Sequence, residues 1–226
     1  LVIGYVQSGK TAHYTGMIAR AIDAGYSTII VLSGILNDLR AQTQERLIKD
    51  IVGWHEESAE DIPMEVCIPA EGRPLIEIQT SMTLDFNTRA KEVIAQRFVE
   101  AREQNKIILM VVKKNVTVLE HLLNGLKQCG KGELAQHRLL LIDDEADHAT
   151  VNTGGSGEEA ADESVHEGYA EEREDRELET ESDPSRTNAV LRRILHHFER
   201  FSYIGYTATP FANVLISPEE SDDASL

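Results

Sequence analysis

The chain has 226 residues, 41% hydrophobic and 27% charged, which is enough for one large domain with a proper core. No window holds the about 18 consecutive apolar residues of a membrane helix, no signal-peptide pattern is present, and Cys67 and Cys129 lack metal-ligand spacing, so a cytoplasmic location, no membrane contact and no zinc site are expected. The formal charge of −17 is concentrated, because residues 155–185 hold 13 Asp/Glu and 2 Arg, leaving only −6 elsewhere; this excludes a simple basic nucleic-acid-binding domain but not a local patch for nucleic acid.

The chain opens on a short apolar strand, Leu1-Val2-Ile3, followed by Gly4-Tyr5-Val6-Gln7-Ser8-Gly9-Lys10-Thr11. That stretch fits the phosphate-loop pattern G-x-x-x-x-G-K-[ST] at every defined position. The glycines allow a tight fold in which successive N–H groups point at phosphate oxygens. Gly4, Gln7, Ser8 and Gly9 are the expected backbone cradle, Lys10 reaches the β- and γ-phosphates, and the Thr11 hydroxyl ligates Mg²⁺. The expected ligand is ATP.

A helix is predicted over 10–24, with Met17, Ile18, Ala21 and Ile22 on one face, stopped by Gly25. Residues 27–32 form a β-branched run typical of a strand buried on both faces. A second helix is predicted over 36–52, with Leu39, Thr43, Leu47 and Ile51 at helical spacing. A short strand follows at 75–79, then a helix capped by Asn87 or Thr88 and running to 103. Residues 107–112 read as another buried strand and 116–129 as a helix.

Residues 139–142 form the most apolar strand and run into Asp143-Asp144-Glu145-Ala146-Asp147-His148. In a phosphate-loop protein, a carboxylate just past a buried strand holds Mg²⁺ and the next Glu orients or deprotonates the attacking water. Asp144 is assigned to the metal and Glu145 to the water, with Asp143 as the alternative metal ligand if the register shifts by one. Glu145 and Lys10 are thus the catalytic candidates. His148 either senses the phosphate or bonds Asp147. Residues 155–185 have no apolar period and read as a disordered acidic insertion. A helix over 187–200 presents Val190, Leu191, Ile194, Leu195 and Phe198, and the last strand covers 202–206. His196 and His197 read as surface residues. Alternating strands and helices predict an α/β fold, a three-layer parallel sheet with helices on both faces. The whole of 1–226 is expected to be one lobe, with both ends internal to a longer protein.

Asp144-Glu145-Ala146-Asp147 spells the D-E-A-D tetrapeptide of superfamily 2 helicases, and Thr207-Ala208-Thr209-Pro210 resembles their T-A-T motif. In that superfamily such hydroxyls couple hydrolysis to lobe movement, which implies that role for Thr207 and Thr209. Three blocks, Gly4 to Thr11, Ile142 to Ala149 and Tyr203 to Asn213, resemble the Z-one domain family. The resemblance implies a bacterial, helicase-like, RecA-like P-loop ATPase lobe, tied to restriction and phage defence and often described as an endonuclease. It further implies DNA as partner in preference to RNA, a second RecA-like lobe in the same protein that carries the transition-state arginine, and a MORC-like ATPase partner. Arg40, Thr43, Lys113 and Lys114 follow strands where such enzymes grip a nucleic-acid backbone, and are the candidates for that contact; the plainer alternative is solvated surface charge. No carboxylate–Lys nuclease signature, metal-binding histidine pair or nucleophile elbow is present.

Overall fold

A computed structural model of the chain describes residues 2–3, 9–52, 76–80, 90–146 and 184–208. In chain order these form β1 (Val2–Ile3), α1 (Lys10–Asp23), β2 (Thr28–Ser33), α2 (Asn37–Leu47) with a π-helical turn (Ile48–Val52), β3 (Ile76–Ile78), α3 (Ala90–Glu103) and β4 (Ile107–Lys113). There follow α4 (Val116–Gln128), α5 (Lys131–Leu134), β5 (Arg138–Asp144), α6 (Pro184–Leu195) and β6 (Arg200–Thr207). The strands make one six-stranded sheet, in the order β1-β6-β5-β2-β4-β3, with every pairing parallel. Parallel neighbours cannot be joined by tight turns, so the connections cross over the faces of the sheet.

Strand alternation divides the core in two. Ile29, Val31, Leu109, Val111, Leu140 and Ile142 face one side and pack with Tyr14 and Ile18 of α1 and with Leu47 of α2. Ile30, Leu32, Met110, Val112, Leu139 and Leu141 face the other side, against α3, α4 and α6. Central strands buried on both faces need near-continuous apolar runs, and β2 and β4 are buried along their whole length. The fold is α/β, with helices on both faces of a parallel sheet. Among the described residues no helix is long and apolar enough to cross a membrane.

Several local expectations need correction. The buried face of α2 is Arg40, Gln44 and Leu47, whereas Leu39 is 41% exposed. Polar pairing explains this: Arg40 Nη1 donates to Gln44 Oε1 at 2.9 Å, and Gln44 Nε2 donates to the Thr80 carbonyl at 2.6 Å. The helix predicted to reach 200 ends at Leu195, because β6 starts earlier than expected, at Arg200. Pro184 and Ser185, assigned to the acidic insertion, open α6, and proline suits a first helical turn because its missing N–H would be unpaired there anyway. The rest of 155–185 lies outside the described residues, as do Asn87 and Thr88. The short helix α5 was not anticipated from the sequence.

Candidate nucleotide site

The carboxyl ends of parallel strands are where an α/β sheet binds ligands, since loops and helix N-termini gather there. Register brings three chemistry-bearing segments to that edge. Ile3, the last described residue before the glycine loop, pairs with Thr207 of β6, and Tyr206 pairs with Asp144 of β5. The loop residues Gly4, Gln7 and Ser8 lie outside the described residues, and so do Asp147, His148 and Thr209. Gly9, immediately before α1, has φ 79°, a left-handed conformation that glycine adopts without a Cβ penalty. Lys10 and Thr11 then form the first turn of α1, which contains no acidic residue.

Consecutive strand residues point to opposite faces, and this separates the two aspartates. Asp144 follows Leu140 and Ile142 onto the α1 side of the sheet. Burial raises its pKa, the Glu145 charge raises it further, and the Lys10 and Lys114 ammonium groups act in the opposite sense. Asp143 points to the other side, is fully buried, and lies 2.6 Å from Lys114 Nζ through Oδ1. Its Oδ2 accepts a hydrogen bond of 2.6 Å from the Tyr203 hydroxyl.

Tyr14, one turn after Lys10, is wholly buried. Its hydroxyl lies among the Thr11, Thr43 and Asp144 side chains yet completes a well-aligned hydrogen bond with none of them. Burial and the Asp144 charge push its pKa well up, so the hydroxyl keeps its proton. Tyr206 packs edge-on to Tyr14 at 5.5 Å, and its hydroxyl meets His13 Nδ1 at 2.9 Å. Glu145 has φ 59°, the left-handed region that glutamate rarely adopts and that costs about 1–3 kcal/mol unless its surroundings impose it. Its amide donates to Asp144 Oδ1 at 3.1 Å, and its carbonyl accepts from Lys114 Nζ at 2.5 Å. The Glu145 carboxylate lies beside Gly34, where a Cβ would come 3.5 Å from Oε2.

Lys10, Thr11, Asp144, Glu145 and Thr207 therefore gather at one edge. The set expected to grip a nucleic-acid backbone does not form an exposed patch. Arg40 is 1%, Lys113 4% and Lys114 0% exposed, and Thr43 lies beside the Tyr14 hydroxyl. Lys114 turns inward to pair with Asp143, both side chains fully buried. His196 is exposed and His197 partly so.

No family model, curated protein or solved structure matches this chain. Sequence reasoning missed Tyr14, Tyr203 and the inward role of Lys114. A signal for Lys114 was present: a run buried throughout, from Ile107, passes straight into Lys113 and Lys114 without a turn residue.

Proposed function

We propose that this chain is the ATP-binding and ATP-hydrolysing lobe, RecA-like in fold, of a superfamily 2 helicase-like motor acting on DNA. The motif resemblance to the Z-one domain family supports a role for such a motor in bacterial restriction or phage defence, with a second RecA-like lobe and a MORC-like ATPase as its partners. The single observation that carries the nucleotide reading is that Asp144, and not Asp143, lies on the face of α1 where the Lys10 ammonium reaches it electrostatically.

The donor set fits Mg²⁺. Thr11 and Asp144 offer oxygen ligands alone, and both adjoin the buried Tyr14 hydroxyl that lacks a full partner. Mg²⁺ commonly takes one or two protein ligands and fills its shell with water and phosphate oxygens. Accordingly, no cluster of three or more His, Cys, Asp or Glu is needed, and none occurs among the described residues. Bound there, Mg²⁺ would neutralise charge developing on the phosphates.

The protein's own groups then divide the work. Gly9 and the start of α1 offer N–H groups to phosphate, and Lys10 neutralises the β- and γ-phosphate charge. Asp144 and Thr11 would hold the metal. Glu145 orients the attacking water and takes its proton. A phosphate-loop kinase must keep water from the γ-phosphate, so a glutamate at that position argues against one. Thr207, fully buried where β6 runs between β1 and β5, would couple hydrolysis to movement at the sheet edge.

Burial of Arg40, Lys113 and Lys114 favours a second reading, an ATP-dependent switch or the ATP-coupled subunit of an endonuclease whose nuclease residues lie elsewhere. Two variants test the nucleotide site, and the addition of DNA separates the two readings. Lys10→Ala is expected to abolish ATP affinity in titration calorimetry; unchanged affinity would contradict the nucleotide site. Glu145→Gln is expected to keep affinity and lower turnover by about 10²–10⁴-fold. DNA-stimulated turnover by the unsubstituted protein supports the motor, whereas ATP-dependent partner binding without stimulation supports the switch.

A further inference from the structure

Lys114 stands just past β4, yet its ammonium reaches across the end of β2 to β5. Among the described residues it meets the Asp143 carboxylate there at 2.6 Å and the Glu145 main-chain carbonyl at 2.5 Å. Both charged side chains are 0% exposed. The Tyr203 hydroxyl, from β6, donates to the second Asp143 oxygen at 2.6 Å. A buried ion pair is an uncertain source of stability by itself, since desolvation offsets most of the attraction. This one does something more specific. The carbonyl it grips belongs to Glu145, which is held at φ 59° with its carboxylate beside Gly34. Strained backbone persists only where surrounding contacts over-determine it.

We propose that Lys114 is a positioning residue, and that Asp143 serves to keep its ammonium buried and aimed at the Glu145 carbonyl. Lys114 thereby fixes the left-handed turn that presents the Glu145 carboxylate to the attacking water. This rests on the ATPase reading for its consequence, but its geometric content is separate. Asp143 is then neither metal ligand nor base; with Tyr203 it forms the socket for Lys114. The neighbouring carboxylates Asp143, Asp144 and Glu145 thus divide into an anchor, a metal ligand and a base.

Lys114→Met alone leaves Asp143 buried without its counter-charge and is expected to unfold or weaken the protein. The decisive variant is Lys114→Met combined with Asp143→Asn, which removes both charges and keeps a partner for Tyr203. If Lys114 only balances Asp143, this double variant regains everything. If it positions Glu145, the double variant folds and binds MgATP like the unsubstituted chain, but turnover falls by about a hundredfold. The backbone ¹³C shifts of Glu145 are then expected to leave the left-handed range. Unchanged Glu145 shifts, or full turnover in the folded double variant, overturns the proposal. In the unsubstituted 226-residue chain, NMR is expected to show a through-hydrogen-bond coupling from Lys114 Nζ to the Glu145 carbonyl carbon. Its absence overturns the proposal whether or not the variants fold. A chain that shows this coupling and the left-handed shifts but neither binds nor hydrolyses ATP defeats the ATPase reading and leaves the positioning contact standing.

Discussion

At the scale of residues, adjacent carboxylates acquire different chemistry because a strand turns successive side chains to opposite faces. The alternation of Leu139 to Asp144 is plain in the sequence, and it separates Asp143 from Asp144. Which face holds α1 is not written in that strand; it follows from how α1 crosses the sheet, a long-range property. Tyr203 could not be matched to Asp143 for the same reason, since they lie 60 residues apart. Burial raises the Tyr203 pKa, and the charge and hydrogen bond of Asp143 raise it further, so the hydroxyl remains a donor at every ordinary pH. Tyr203→Phe removes that donor and leaves one oxygen of a buried carboxylate short of a partner. The expected cost is about 1–3 kcal/mol, read as a lower midpoint in urea unfolding at unchanged slope. A midpoint equal to that of the parent protein would mean that the hydroxyl contributes nothing to holding Asp143.

At the scale of elements, legibility tracked burial. The β-branched and leucine runs of β2, β4 and β5 announced strands covered on both faces, and each appears within a residue or two of its expected limits. Helix α2 was found but its buried face was misread, because apolar spacing pointed to Leu39 whereas the Arg40–Gln44–Thr80 hydrogen bonds decide the orientation. Periodicity registers apolar side chains; it does not register polar ones that satisfy each other inside. Helix α4 shows the opposite case, with sequence and packing in agreement. Val118, Leu119, Leu122, Leu123 and Leu126 form its buried stripe. Asn115 closes its N-terminus, with Oδ1 accepting from the Val118 amide at 3.2 Å. Asn115→Ala leaves that amide without its cap at a buried position, so stability is expected to fall by about 1 kcal/mol while the far-ultraviolet helical signal persists. Thermal unfolding followed by circular dichroism checks it, and an unshifted midpoint would show that another group takes over the cap.

At the scale of the whole molecule, opposite edges of the sheet respond differently to protons. The carboxyl edge holds Asp144, whose raised pKa means that its charged form is disfavoured by folding. The opposite edge holds His137, 2% exposed, packed edge-on to Phe98 at 4.9 Å, with Ser27 and Thr28 hydroxyls each 3.3 Å from Nδ1. Burial is the main cause that lowers its pKa; Glu133, 3.5 Å from Nε2, works against that, and the Arg102 charge adds to it. The folded protein therefore keeps the imidazole neutral where the unfolded chain, near its ordinary value of 6.5, already binds a proton. By linkage this contribution is fully present above the unfolded value and is lost as pH falls from there towards the lowered folded value. The slope from this one group approaches about 1.4 kcal/mol per pH unit inside that window. His137→Asn weakens packing on Phe98 at every pH, so absolute stability is a poor test and the slope is the right one. Urea unfolding between about pH 5 and 7 is expected to show a shallower loss of stability in the variant than in the parent. Equal slopes would mean that His137 binds its proton as readily in the folded core as in the unfolded chain.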